Sequence, residues 1–185
     1  MFQTGNRRRA ARLALGGIVT GAALAVRARW KRTPQASDVP HIPPYAATIS
    51  DGTLDIYSYG EDLYDAMLQA IEQAQQRIWF ENFIWKGDRV GQRFKHALEQ
   101  AAERGVEVYV VFDGFANLVM PRRFKRFPPP IRTLEFRVVP RLWRFLSPRN
   151  YGRDHRKIVL VDDTVGFVGG YNIGALYATK WRDTH

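Results

Sequence analysis

The feature that most limits what this chain can fold into is an alternation of two periodicities between Glu61 and Gly114. The stretch EDLYDAMLQAIEQAQQ (61–76) sets Leu63, Met67, Leu68, Ala70, Ile71 and Ala74 on one helical stripe. Its first turn is acidic, where the helix dipole favours carboxylates. RIWFENFIW (77–85) is aromatic and β-branched, hence a strand. DRVGQRFKHALEQAAERG (88–105) is a second amphipathic helix, stopped by Gly105. VEVYVVFDG (106–114) is a mostly apolar strand of the kind covered on both faces, and LEFRVVP (134–140) reads as another. Helix, strand, helix, strand in that order predicts an α/β fold with helices packed on a sheet.

The rest of the chain sorts around that core. Residues 33–52 contain Pro34, Pro40, Pro43 and Pro44 and read as a linker, so the domain is expected over 53–185. Residues 1–32 hold fourteen uncharged positions between Arg12 and Arg27. A helix of that length covers about 21 Å, short of the roughly 30 Å hydrocarbon core. The segment therefore reads as a short apolar helix, either a membrane anchor or a signal-like leader. Four basic residues flank each side, so the positive-inside rule selects no orientation.

The net charge of +10 favours an anionic partner: a phospholipid surface, nucleic acid or a phosphorylated substrate. Between Pro121 and Lys157 there are twelve Lys or Arg against two acids, Glu135 and Asp154. PRRFKRFPPP (121–130) and RLWRFLSPR (141–149) interleave cations with aromatic and apolar side chains, which suits lipid headgroups and single-stranded nucleic acid alike. The absence of cysteine excludes disulfides, thiolate nucleophiles and cysteine metal sites.

The chemistry concentrates in HRKIVLVDDTVGFVGGYN (155–172). HRKIVLVDD is β-branched, and strand alternation points His155 and Lys157 to one face with Val159 and Val161. DDT makes a tight turn and VGFVGGYN returns, bringing Asn172 back toward His155 and Lys157, with Gly169 and Gly170 permitting close approach. These residue types suit displacement at a phosphodiester. An imidazole can attack phosphorus and hold it covalently. An ammonium and an amide can stabilise the non-bridging oxygens. The leaving alcohol also needs a general acid. No cofactor and no metal enter such a scheme.

The spacing resembles the HxKx4Dx6GGxN motif of the phospholipase D superfamily. AIEQAQQRIWFENFIW and ALEQAAERGVEVYVVFDG extend the likeness to the first half of bacterial cardiolipin synthases and related phospholipase D-like proteins. The resemblance implies an α/β phospholipase D-like half-domain, a mixed sheet flanked by helices. It implies His155 as catalytic histidine, Lys157 and Asn172 with Gly169 and Gly170 as the phosphate-binding set, and Asp162 as the motif aspartate with a mainly structural role. Asp183, in WRDTH, falls where such proteins place a carboxylate that orients the histidine. Glu81 and Asn82 alternate with apolar residues, and Glu81 is the one expected to face the site. Asp113 and Gly114 read as a strand-end turn. His41, His96 and His185 have no partners at useful spacing.

The resembling enzymes use two such motifs, and this chain has one. The second half is therefore expected in a longer chain, or in a homodimer partner under twofold symmetry. The chain alone is expected to turn over little substrate, with one sheet edge exposed. The implied setting is a membrane of bacterial inner-membrane type. The implied reaction is phosphatidyl transfer on anionic phospholipid, with a nuclease-like phosphodiesterase or an inactive membrane-binding fragment as the alternatives.

Overall fold

A computed structural model of the chain describes residues 38–50, 52–118, 120–136 and 153–185. The apolar leader over 1–32 and the basic stretch over 141–149 lie outside them.

A hairpin comes first, β1 (Tyr45–Ile49) paired antiparallel with β2 (Gly52–Ile56). Helix α1 (Gly60–Gln73), β3 (Arg77–Asn82), α2 (Arg89–Glu103), β4 (Glu107–Asp113) and β5 (Arg132–Phe136) follow. Then come β6 (Lys157–Val161), β7 (Val165–Val168) and the short α3 (Ala175–Thr179). The main sheet runs β5-β4-β3-β6-β7. β3, β4 and β5 are parallel, while β6 and β7 are antiparallel to their neighbours. This is the helix-and-sheet fold that the alternation predicts, with the mixed sheet that the resemblance implies.

Local chemistry sets the boundaries. The Asp88 carboxylate accepts from Gly91 N at 3.0 Å and starts α2, and its other oxygen accepts from Ala175 N at 2.8 Å at the start of α3. One carboxylate thus serves the orphan N–H groups of two helices. Gly105, at φ +94, ends α2 in the left-handed region that a side chain disfavours. The Arg104 guanidinium donates to Ile71 O at 3.0 Å, satisfying a carbonyl in the last turn of α1.

The core lies between the helices and one face of the sheet. Leu63, Met67 and Ile71 of α1 and Phe94, Leu98 and Ala101 of α2 are buried in one cluster with Ile78, Phe80, Val110 and Val159. Each fully buried large side chain contributes about 1.5–3 kcal/mol. The other face differs from expectation. Trp79 stacks on Tyr109 at 4.0 Å between ring centres, and Trp79, Leu134, Phe136 and Leu160 stay exposed. The apolar run of β4 is therefore covered on one face and only half-buried on the other, because the alternate positions Tyr109 and Val111 keep partial exposure. The hairpin β1–β2 falls partly inside the segment read as a linker. Its residues are almost all exposed, so they carry no apolar pattern.

Candidate active site

β6 is flanked by β3 and β7, and His155 lies just before its first residue. Lys157, Val159 and Val161 are buried on the helix-covered face, while Ile158 and Leu160 point to the other. Lys157 is 4% exposed. Its ammonium donates to His155 O at 2.8 Å and stands 3.4 Å from both ring nitrogens of His155, so it lies over the imidazole. Phe83 adjoins both groups: its ring centre is 4.5 Å from that of His155 and 5.4 Å from Lys157 Nζ. Desolvation pulls the Lys157 pKa below its ordinary value, and the carboxylates of Asp183 and Asp154 oppose that shift. The imidazole itself remains exposed.

Asn172 joins the same corner through the backbone of the loop after β3. Its Oδ1 accepts from Ile84 N at 3.0 Å, the residue after Phe83, and the Tyr64 hydroxyl donates to Asn172 O. Ile173 N donates to Ile84 O at 3.0 Å and Lys86 N to Ile173 O at 2.8 Å. With Oδ1 committed, the Asn172 amide nitrogen is the group left to donate.

Asp162 lies at the opposite end of β6. It sits at φ +51 and accepts from Gln75 N, Gln76 N and Arg77 N at 2.7, 2.7 and 2.9 Å. Desolvation acts to raise its pKa, but these three donors and Arg77 outweigh it and hold the carboxyl below the usual range. Asp162 thus clasps the link between α1 and β3 and is not brought together with His155.

Several expectations need correction. The side chain on Lys157's face is Asn82, not Glu81, because β3 pairs Asn82 with Lys157 and strand parity turns Glu81 away. Asn82 is 3% exposed and its Oδ1 has no partner among the described residues. Gly169 and Gly170 permit the close approach expected of them, and the residues that approach are 183–185. A Cβ at Gly169 would lie 2.4 Å from Thr184 O, and one at Gly170 2.2 Å from the Asp183 carboxylate. Gly170 N also donates to Thr184 O at 3.0 Å. Asp183 forms no hydrogen bond with His155 among the described residues. Its carboxylate accepts from Thr184 N at 2.9 Å and acts on Lys157 through charge. His185, set aside on sequence, packs against Gly169. Desolvation pushes its pKa down to about 4 against the pull of Asp183, and Lys157 adds to the fall.

A second cluster supports His155 from the other face. Arg156 Nη2 is 2.7 Å from Glu81 Oε1, and Arg156 Nε is 3.1 Å from Asp154 Oδ1. Desolvation, then the hydrogen bond and charge of Asp154, push Glu81 up to about 7, with Arg156 opposing the shift. Asp113 Oδ1 accepts from Phe115 N and Ala116 N at 2.8 and 2.9 Å, forming the strand-end turn, while Oδ2 accepts from Asp154 N at 3.3 Å. The residues on both sides of His155 are therefore anchored. Asn117 fixes the Phe83 wall, with Nδ2 donating to Phe83 O and Oδ1 accepting from Trp85 N, both at 2.8 Å. Sequence periodicity exposes neither network, since both depend on which strands pair.

An α/β sheet thus carries His155 and Lys157 side by side at the start of β6, with Asn172 bonded to the loop that holds Phe83. The family described as cardiolipin synthase, PLD-like domain, matches residues 67–181, and the chain belongs to that family. It is 30% identical over 159 residues to the major cardiolipin synthase ClsA of Bacillus subtilis (strain 168), covering 76% of this chain and 30% of that protein. It is 36% identical over 141 residues to cardiolipin synthase 1 of Bacillus cereus, covering 72% of this chain and 27% of that one. The chain thus spans less than a third of the length of these curated relatives. Among solved structures, NucT from Helicobacter pylori shares the fold at a TM-score of 0.54 and 12% identity, over 70% of this chain and 80% of that one. Phosphatidylserine synthase from Haemophilus influenzae Rd KW20 shares it at 0.52 and 16%, over 70% and 32%.

Among the described residues no helix is long and apolar enough to cross a membrane, and no cluster of His, Asp and Glu has metal-binding geometry.

Proposed function

We propose that this chain supplies one half of a phosphatidyltransferase site acting on phospholipid at a membrane. His155 attacks phosphorus, a nitrogen–phosphorus bond forms, and the bond to the leaving alcohol breaks. The leaving oxygen takes a proton from a general acid in a second half, in a longer chain or a partner copy. A second lipid alcohol then displaces the phosphatidyl group from His155, as a cardiolipin synthase-like reaction requires. Lys157 and the Asn172 amide hold the non-bridging oxygens. Asp183 balances the charge on Lys157, and Asp162 keeps the hairpin in place.

The observation that carries this reading is the position of the Lys157 ammonium. It is buried, yet it lies over the exposed imidazole that would carry the phosphoryl group. Desolvating a cation costs free energy, and an arriving phosphate would offset that cost. Because one half holds one motif, steady turnover by the isolated chain is expected to be low.

The test is to incubate the protein with phosphatidylglycerol labelled at phosphorus, quench in alkali and look for phosphohistidine. Label should appear on wild type and vanish in His155→Ala. Rapid multiple turnover that survives His155→Ala would sink the proposal. Labelling from single-stranded DNA and never from lipid would instead favour the phosphodiesterase reading that the net charge of +10 allows.

A further inference from the structure

The turn after β4 combines features that phosphate binding alone does not require. Phe115 and Leu118 are 55% and 60% exposed there. A single exposed apolar residue is ordinary, but two large ones on one turn are less so. Arg122 and Arg123 follow on the same loop, both exposed. The ion pairs formed among the described residues include neither of them, whereas the nearby Lys125 is neutralised by Glu135 at 2.9 Å. Along one loop, exposed apolar side chains at 115 and 118 are thus followed by two exposed cations that pair with no carboxylate among the described residues.

This loop also borders the catalytic corner. The Arg153 guanidinium lies 5.6 Å from the Phe115 ring centre, two residues before His155. Asp113, two residues before Phe115, accepts from Asp154 N at 3.3 Å. Asn117, between Phe115 and Leu118 in effect, holds the Phe83 carbonyl at 2.8 Å, and the Phe83 ring touches His155. Phe115 and Leu118 therefore sit on the loop whose Asp113 and Asn117 anchor the segments carrying His155 and Phe83.

We propose that Phe115, Leu118, Arg122 and Arg123 form the contact by which this half-domain docks on an anionic phospholipid surface. Phe115 and Leu118 enter the boundary between headgroups and acyl chains, and the two arginines pair with headgroup phosphates. Charge selects this occupant. A second copy presenting the same turn would bring like charges together. Single-stranded nucleic acid would satisfy the arginines and could stack on Phe115, but it would leave the aliphatic Leu118, the more exposed of the two, in water. That docking delivers substrate to His155 rests on the phosphatidyl-transfer reading; the docking itself does not.

The chain contains no cysteine, so single cysteines can be introduced into the full chain at Leu118 and, as a control, at Thr53 on β2. Each is labelled with an environment-sensitive dye and mixed with phosphatidylglycerol-rich vesicles, with and without lipids carrying a nitroxide on the acyl chain. The label at 118 is expected to shift to the blue and to be quenched by the nitroxide, and the label at 53 to do neither. Arg122→Glu with Arg123→Glu is expected to lower the lipid affinity read at position 118 by about tenfold or more. The proposal is overturned if vesicles leave the 118 label unchanged, including the case where the protein binds them through its leader. It is equally overturned if the shift needs no lipid and grows with protein concentration, or appears with single-stranded DNA alone. Phosphohistidine trapping is read separately: a quenched label without trapped phosphate keeps the docking and removes the chemistry.

Discussion

The two ends of β6 carry residues of one short motif and treat them in opposite ways. At the start, Lys157 is buried against an exposed imidazole, and its strong hydrogen bond goes to a backbone carbonyl. At the finish, Asp162 takes three backbone donors within 2.9 Å. One end is held by a single strong bond beside an exposed ring, and the other is tied to the backbone three times over. On the proposed function, the difference separates residues that would meet a ligand from a residue that maintains the strand, although spacing alone groups them together.

The sharpest way to break that distinction is His155→Ala. It is expected to remove all trapped phosphoenzyme, a loss of about a thousandfold or more, with the unfolding midpoint unchanged. Lys157→Ala should lower trapping about a hundredfold, and Lys157→Arg should not restore it, because a planar fork does not replace a compact ammonium over the imidazole. Asp162→Ala should do the reverse. Trapping per folded molecule is expected to stay near wild type while stability falls by about 1–3 kcal/mol in urea unfolding. Its pH signature follows from a lowered carboxyl pKa. The Asp162 contribution is complete above the ordinary aspartate range near 3.9 and is lost as pH falls through the lower folded value.

The smallest effect is expected at Glu81. Its pKa is pushed up to about 7, so the folded state holds a proton there that the unfolded chain releases near 4.3. The associated stability is present below that lower value and lost as pH rises toward 7. Glu81→Gln should flatten this slope, by about 1 kcal/mol or less because the pair is partly solvated and Arg156 offsets the charge. A slope unchanged by Glu81→Gln would show that the raised carboxyl is not Glu81.

Much of this architecture is legible in the residues, for physical reasons. Leu63, Met67 and Ile71 recur at helical spacing because one face of α1 is buried, and the β-branched run of β6 reflects its place between two strands. The β6–β7 hairpin is legible because a tight turn fixes register through local geometry. What stayed hidden depends on long-range pairing. Whether Glu81 or Asn82 shares a face with Lys157 is decided by β3 meeting β6 across the sheet. The packing of residues 183–185 against Gly169 and Gly170 has no local signature, and neither do the five residues of α3.

Asp88 gives the fold a sense of time. Its bond to Gly91 N closes over three residues, whereas its bond to Ala175 N closes over eighty-seven. The first can form as soon as α2 nucleates; the second must wait until almost the whole sheet has assembled, since loop closure carries an entropy cost that grows with separation. The segment bearing Asn172 is therefore expected to be secured late in folding and released early in unfolding. Amide exchange at Ala175 should outpace exchange at Gly91, which would make the edge bearing Asn172 the part of the half-domain that a bound partner most readily stabilises.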